Sequence, residues 1–370
     1  MSDPSGFDGD RAEFDGDRPE LDAGRSQGDA VRPEAGAGRT GAGMDRPEAE
    51  AAGPWLGRIL REGATPGMLE ALAEGLSPAD LQTLLLAVYR RRAAAVTPGG
   101  LLRQYEHNRF VAPSPVDAGE LARLDVLVHE CFARHGFTAL ALSPVAPLGV
   151  NSVVATVSQD KALTTVRNTE VVADATNVLA LECAVRRGGL LRADTRSRQR
   201  VRLAATHRVL RAQVFGPGMT AHFKLMGLCT AGRDEGSFRF ETEALVEHVG
   251  VHLDVVERAR ALSRHTSAVC VSFTDLSGGR HREALREHVL DRLAARHPGV
   301  AFVFDDDRAT GRGYYTGVSF GIDVTTPEGE PVNIGDGGFT TWTAALLSNA
   351  KERLLISGLG LERLCALAAR

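Results

Sequence analysis

A hairpin is predicted near the middle of the chain. The extended runs at 207–214 and 222–228 flank the segment 214–221, which contains Gly-Pro-Gly. Two strand-like runs joined by such a loop are typical of antiparallel neighbours. Further short extended runs, separated by turn residues, alternate with longer helical stretches on both sides of this hairpin. The pattern predicts an α+β fold with a mainly antiparallel sheet flanked by helices.

Helix starts and apolar spacing predict the other elements. Ser77 and Pro78 are suited to a helix N-cap and first turn, and Asp174 or Thr176 is suited to cap a second helix. Helices are predicted from Ser77, around 121–135, at 176–187, 240–262 and 280–296, and from about 361. Extended segments are predicted at 137–142, 151–157, 162–166, 170–172, 207–214, 222–228, 267–273, 300–305, 314–324, 330–334 and 354–357. The three elements between 267 and 305 predict a small β-α-β insertion.

The composition changes sharply along the 370 residues. Residues 1–50 hold 13 Asp+Glu against 6 Lys+Arg, are rich in Gly and Pro, and repeat Phe-Asp-Gly-Asp-Arg. Such a segment buries too little apolar surface to offset its ordering entropy. We therefore expect a disordered acidic tail at 1–52, a helical segment at 53–112, and a core at 113–370 with an insertion at about 264–308.

Charge, hydropathy and cysteines exclude several classes of protein. The net charge of −4 does not favour a general nucleic-acid binder. We expect no membrane insertion, because the sequence contains no run of 18 uncharged apolar residues. The five cysteines are scattered singly, as in a reduced, cytoplasmic protein. His248 and His252 lie one helical turn apart, but no third ligand accompanies them, and we predict no metal site in the protein.

Several short motifs follow one another in a fixed order. Asp174-Ala-Thr176 leads into a helix, and Arg211-Ala-Gln213 precedes a loop and Phe223, twelve positions after the arginine. Tyr314-Tyr315-Thr-Gly, Gly337-Gly338 and Gly358-Leu-Gly360-Leu-Glu-Arg363 come later. Together they resemble the catalytic core of class II aminoacyl-tRNA synthetases. Within that class, the resemblance is nearest to the histidyl branch and to its paralogues that lack the anticodon-binding domain. We expect no such domain here.

The resemblance implies a bent ATP site and an amino-acid site. It implies that Arg211 and Arg363 are the catalytic candidates, facing the α- and γ-phosphates, and that Phe223 stacks on adenine. Arginine forks suit phosphate oxygens better than lysine does. The resemblance also implies the further ATP contacts Gln213 and Gly360, and the amino-acid contacts Asp174, Thr176, Tyr315, Gly337 and Gly338. Mg²⁺ is the implied companion of ATP.

The amino-acid pocket departs from the histidyl pattern. In the histidyl branch, two polar residues that recognise histidine occupy the positions of Leu225 and Cys229. An arginine is expected at the position of Thr310, and Arg312 lies two positions later. These changes argue against histidine as the substrate. Taken alone, each motif residue also fits a structural role, since an arginine on a strand is usually exposed or ion-paired and Phe223 fits a core position.

Two functions follow from the resemblance. The first is an ATP-dependent ligase that forms an aminoacyl-adenylate from a small amino acid and passes the acyl group to an acceptor other than tRNA. The second is a non-catalytic paralogue that serves as a regulatory or amino-acid-sensing subunit. In either case we expect a homodimer, with Pro144–Pro147 near the contact, and a protein partner or carrier, whereas tRNA is not expected.

Overall fold

A computed structural model describes residues 53–63, 65–214, 220–261, 268–309, 311–326 and 329–368. The predicted tail at 1–52 lies outside these residues, as do the middle of the hairpin loop, the beginning of the predicted insertion and Thr310. The chain divides into two compact units, Met1–Leu69 and Glu70–Arg370. The elements that form the sheet all belong to the second unit.

Eleven α-helices occur in the described residues. Their bounds are α1 Gly53–Glu62, α2 Met68–Ala73, α3 Pro78–Ala94, α4 Pro98–His107, α5 Ala118–Arg134, α6 Ala175–Ala193, α7 Arg239–Ala261, α8 Arg282–Leu285, α9 Asp291–Arg296, α10 Trp342–Leu346 and α11 Leu361–Ala368. Between α8 and α9, Arg286–Leu290 forms a π-helical turn. Ser77 caps α3 by accepting a hydrogen bond from the Asp80 backbone N–H, as predicted. None of these helices has the length and apolar character needed to cross a membrane.

One mixed, mostly antiparallel sheet of eight strands organises the molecule. Its order is β1-β4-β5-β10-β9-β8-β6-β7, and only the pairs β1/β4 and β6/β7 are parallel. The bounds are β1 Thr138–Ala139, β4 Val201–Leu210, β5 His222–Arg233, β6 Val269–Asp275, β7 Val300–Phe304, β8 Thr316–Thr325, β9 Pro331–Thr340 and β10 Glu352–Gly360. A separate ladder joins β2 Val145–Pro147 to β3 Thr169–Val171. The predicted α+β class and the hairpin β4–β5 are confirmed.

Some predicted elements differ from those observed. The predicted strand at 151–157 is wrong, because Val150–Val154 forms a π-helical turn after the left-handed Gly149. The predicted strand at 162–166 is reduced to a single bridge at Thr164. Tertiary contacts decide both cases: Asn151 is buried, and its backbone N–H donates to the Glu170 carboxylate instead of to a neighbouring strand.

The two faces of the sheet pack against different helices. Helices α5 and α7 cover one face, where Met226, Leu228, Leu355 and Leu359 join the largest apolar cluster. We call this the helix face. Helix α6 packs across β4 and β5 on the opposite face, which we call the cavity face. The first turn of α6 approaches β5 so closely that a Cβ on Gly227 would lie 3.2 Å from the Ala175 Cβ. Glycine at this position therefore places the α6 N-terminus directly over the sheet.

Candidate active site

The cavity face of the sheet contains an open pocket of about 380 Å³. Strands β5, β9 and β10 form its floor, the α6 N-terminus forms one wall and α11 forms another. Its volume is that of an ordinary small-molecule site. The lining residues are Pro115, Val116, Asp174, Thr176, Arg211, Thr220, Phe223, Leu225, Tyr314, Tyr315, Asn333, Ile334, Gly335, Asp336, Ile356, Ser357, Gly358, Gly360, Glu362, Arg363 and Ala366.

Arg211 lies at the end of the β4–β5 hairpin and points into the cavity. Its Nε donates to the Ala173 carbonyl at 3.0 Å, and one terminal nitrogen donates to the Asp174 carboxylate at 3.1 Å. The guanidinium carbon lies 5.2 Å from the centre of the Phe223 ring, within the range of a cation–π contact. The arginine and the aromatic residue predicted for a nucleotide therefore lie side by side, with the arginine already ion-paired.

Asp174 has two functions at the start of α6. One of its oxygens accepts from the Thr176 backbone N–H at 2.9 Å and from the Thr176 hydroxyl at 2.8 Å, which makes Asp174 the N-cap. Its other oxygen is the one that receives Arg211. The carboxylate is thus fixed in orientation by the helix, while its second oxygen faces the cavity.

The opposite wall is formed by the last described helix. Gly360 ends β10 and Arg363 lies in the first turn of α11, where its side chain is exposed. The Arg363 guanidinium donates to the backbone carbonyl of Asn333. Among the described residues no carboxylate forms an ion pair with it. Within the part of the chain that the structure describes, its positive charge is held by a neutral carbonyl group.

A second ion pair lies where β9 meets the cavity. Asp336 accepts from Arg308 at 3.1 Å and from the Tyr315 hydroxyl at 3.3 Å. Burial raises the pKa of Asp336, Arg308 opposes that shift, and the Asp174 charge adds to it. Burial also raises the pKa values of Tyr314 and Tyr315 well above their usual range. Both tyrosines of the Tyr314-Tyr315 pair are therefore neutral hydrogen-bonding groups at the cavity.

Most of the residues predicted for the site lie together. Asp174, Thr176, Arg211, Phe223, Tyr315, Gly360 and Arg363 all line the cavity, whereas Gln213, Gly337 and Gly338 do not. The backbone carbonyl of Gln213, in the loop that follows β4, accepts a hydrogen bond from Arg109 at 2.8 Å. Gly338 affects the cavity through Tyr315, because a Cβ on Gly338 would lie 2.6 Å from the Tyr315 ring.

Sequence reasoning missed Asp336, Arg308 and the segment around Pro115 and Val116. Asp336 immediately precedes the predicted glycine pair, so strand alternation alone could have placed it beside Gly338 on the cavity face. No local signal pairs it with Arg308, which is 28 residues distant. Arg312, considered in place of the missing arginine, donates to the backbone carbonyls of Arg308 and Asp306. Thr310 itself lies outside the described residues.

The two apolar substitutions in the amino-acid pocket have different positions. Leu225 lines the cavity floor. Cys229 is fully buried, its thiol lies 3.6 Å from the Thr176 carbonyl, and burial raises its pKa well above the usual range. Neither side chain presents a charged group to a ligand. The floor beneath Thr176 is therefore apolar and closed.

The histidine pair lies on the helix face and does not line the cavity. His248 Nδ1 and His252 Nε2 each lie 2.8 Å from the Ser357 hydroxyl, and His248 Nε2 lies 2.9 Å from the Thr230 hydroxyl. The described residues contain no group of three His, Cys, Asp or Glu that could hold a metal ion. Burial lowers the pKa of His252 to about 3 and the pKa of His248 well below its usual range. These histidines are neutral members of a buried polar cluster.

Among solved structures that this chain is similar to, the first described below supports the fold. A histidyl-tRNA synthetase from S. aureus superposes with a TM-score of 0.52 at 13% identity, covering 70% of this chain and 68% of that chain. An ATP phosphoribosyltransferase regulatory subunit/histidyl-tRNA synthetase from Bacillus halodurans gives a TM-score of 0.49 at 15% identity, covering 70% of this chain and 84% of that chain. An RNA binding domain of threonyl-tRNA synthetase from Cryptosporidium parvum gives 0.49 at 12% identity, covering 69% and 65%. No protein-family model matches the sequence, and no curated protein matches it.

Proposed function

Because the chain has the fold of a class II synthetase catalytic core, we propose that it activates a small amino acid with ATP. The product is an aminoacyl-adenylate, and the acyl group passes to an acceptor other than tRNA. One observation carries this proposal: Arg211 and Arg363, 152 positions apart in the sequence, line the same open cavity together with Phe223 and Asp174.

The two arginines supply what adenylate formation requires. Attack of a carboxylate on the α-phosphate concentrates negative charge there while pyrophosphate leaves. Guanidinium groups already held in position stabilise such charge with little reorganisation at the moment of reaction. We assign Arg211 to the α-phosphate and Arg363 to the γ-phosphate. The Phe223 ring, next to Arg211, is the surface on which we place adenine.

The amine of the substrate is assigned to Asp174. The Asp174 oxygen that now receives Arg211 lies at the α6 N-terminus, and the adjoining floor is formed by Leu225 and Ile356. An ammonium group bound to this carboxylate replaces the Arg211 guanidinium as the positively charged partner of Asp174. We place a small side chain on this apolar floor, because Cys229 is fully buried and lies 3.6 Å from the Thr176 carbonyl.

Mg²⁺ is assigned to the nucleotide and not to a resident site. Glu241 and Glu243 form ion pairs with Arg353 and Arg200, respectively, and neither residue lines the cavity. The described carboxylates form no cluster that could hold a metal ion by themselves. When bound with ATP, the ion would neutralise phosphate charge.

ATP–pyrophosphate exchange, measured with each of the twenty amino acids, tests the proposal. We expect exchange that depends on one or a few small amino acids. A thermal-shift screen of the same amino acids, with and without Mg-ATP, selects the substrates to examine. Exchange with no amino acid, together with no ATP binding, would contradict the proposal.

The alternative is a regulatory or amino-acid-sensing subunit without catalysis. The observation that favours it is the ion pair between Arg211 and Asp174, which occupies both groups that catalysis needs. For such a subunit we expect binding of an amino acid without pyrophosphate exchange, and co-purification of an enzyme at fixed stoichiometry. Exchange activity of the isolated chain would exclude this alternative.

We also propose that the protein is a cytoplasmic homodimer with Pro144–Pro147 near the contact. Ala146 and Pro147 belong to the small β2–β3 ladder beside the sheet. Light scattering of the full chain tests the assembly. A monomer at micromolar concentration would contradict it.

A further inference from the structure

The ion pair between Arg211 and Asp174 joins two groups that we assign to different ligands. The side chains are 29% and 24% exposed, so a ligand in the cavity can reach both. With the pair intact, the guanidinium and the carboxylate largely cancel each other's charge. A phosphate group that binds Arg211 must therefore displace Asp174, and an ammonium group that binds Asp174 must displace Arg211.

The two partners are held differently. Asp174 is fixed by the α6 N-cap through the oxygen that does not contact Arg211. Arg211 is tethered through Nε to the Ala173 carbonyl, which leaves the far end of its guanidinium to exchange partners. An ammonium group that binds the second Asp174 oxygen satisfies the carboxylate, and the guanidinium is then available to an anion.

We propose that this ion pair is an exchange switch that couples ammonium binding to phosphate binding in the cavity. The inference rests on the proposed function and adds to it a rule of regulation: the amino acid and ATP strengthen each other's binding. Coupling of this kind is reciprocal, and its usual size is about 5- to 150-fold in affinity. The switch keeps Arg211 from binding phosphate strongly until an amine is present.

Asp336 provides a matched control in the same cavity. It carries the same charge as Asp174 and is also paired with an arginine, but its partner Arg308 does not line the cavity. Neutralising either carboxylate removes one negative charge near the bound ATP. Only neutralising Asp174 also releases a cavity-lining guanidinium. The difference between the two variants therefore separates the switch from general electrostatics.

The experiment is calorimetric titration of the full-length protein with Mg-ATP, without amino acid. We expect Asp174→Asn to bind Mg-ATP about tenfold more tightly than the wild type. For Asp336→Asn we expect a gain of at most about twofold, the screened effect of one charge. Asparagine caps helices as well as aspartate does, so the start of α6 is retained. Asp174→Ser, which also keeps a cap, is the second variant should the first fail to fold.

The outcomes are distinct. Equal tightening in both variants, or unchanged or weaker binding in Asp174→Asn, overturns the switch and leaves the proposed function intact if the wild type binds Mg-ATP. No binding of Mg-ATP by the wild type and by both Asp174 variants overturns the switch and the proposed function together. Tightening confined to the Asp174 variants supports the switch.

Discussion

The polar side chains on the two faces of the central sheet differ in their exposure to solvent and in their charge. Around the cavity, Asp174, Arg211 and Arg363 are partly or fully exposed and carry charge. On the helix face, His248 and His252 are fully buried and neutral, and both contact Ser357. Ser357 and Gly358 are neighbours on β10, so a single step along one strand separates the two environments.

Strand alternation and burial together explain this difference. Because successive residues of a strand point to opposite faces, the Ser357 hydroxyl contacts His248 and His252 of α7, while Gly358 lines the cavity. Burial without an opposite charge disfavours ionisation, whereas contact with water or an ion-pair partner permits it. We therefore expect substitutions on the cavity face to change ligand chemistry and those on the helix face to change stability.

The largest expected effect is that of Arg211→Ala on adenylate formation. Loss of one preorganised donor to a transition-state oxyanion lowers the rate about 10²- to 10³-fold. We expect this loss in pyrophosphate exchange, with little change in the melting temperature. Arg202→Ala is the control, because Arg202 lies on β4, the strand that leads to Arg211, but pairs with Glu247, on α7, at 2.6 Å. Equal exchange in wild type and Arg211→Ala would show that the arginine is misassigned.

Gly337 and Gly338 are neighbours on β9 and point to opposite faces of the sheet. Substituting each of them therefore compares the packing of the two faces. A Cβ on Gly337 would lie 2.5 Å from the Ser357 Cβ and 2.7 Å from the Ile356 carbonyl, within the packed core. A Cβ on Gly338 would instead meet the Tyr315 ring, which borders the cavity. We expect Gly337→Ala to cost about 3 kcal/mol, at the upper end of overpacking. For Gly338→Ala we expect about 1 kcal/mol, because the tyrosine can shift toward the open cavity.

Urea unfolding at neutral pH measures both glycine variants, and the Kd for Mg-ATP is measured alongside. Gly338→Ala should weaken ligand binding more than its stability loss suggests, whereas folded Gly337→Ala should bind normally. The reverse order of stability losses would show that the cavity face is the more tightly packed of the two.

The buried histidines predict how stability depends on pH. Their folded-state pKa values lie below the ordinary value of 6.5, about 3 for His252, because burial disfavours the charged ring. The unfolded chain therefore binds more protons, and the stability contributed by neutral burial is complete above pH 6.5. It is lost as the pH falls toward the folded-state pKa, with a slope of about 1.4 kcal/mol per pH unit for each histidine.

Comparison of the wild type with His252→Phe between pH 7 and pH 4.5 isolates this contribution. The phenyl ring keeps the apolar contact with Phe320, whose ring centre lies 6.1 Å away, and removes one titrating group. We expect the variant to lose stability less steeply, by about 1.4 kcal/mol per pH unit. Parallel stability curves would mean that His252 does not titrate on unfolding in this range.

The sequence was sufficient for the features that depend on local pattern. The β4–β5 hairpin and the Ser77 cap follow from spacing and turn residues. That Arg211, Phe223 and Arg363 line one cavity was expected only from the family resemblance. Features that depend on distant contacts were missed. The helix predicted to end at Arg187 continues to Ala193 through two glycines, because Arg187 is fully buried in an ion pair with Glu352.

The ion pair between Arg187 and Glu352 shows why contacts between distant residues could not be predicted from the sequence. Its two residues are 165 positions apart, and the Arg187 Nε lies 2.7 Å from the Glu352 carboxylate. No helical period or turn residue indicates that these particular charges will meet. The Arg308–Asp336 pair at the cavity has the same character, which is why the charge of the site could be predicted only in part.

The smallest expected effect is that of Arg363→Ala on ATP affinity. Arg363 is exposed and held by a backbone carbonyl, so water and salt screen its charge more than they screen Arg211. We expect Kd for Mg-ATP to rise about threefold to tenfold at low salt and the effect to shrink at high salt. Arg363→Lys keeps the charge but loses the planar fork, so it should recover only part of the affinity. A loss independent of salt would mean that Arg363 becomes buried on ligand binding, and the cavity face would then contain a closed, dehydrated site like the helix face.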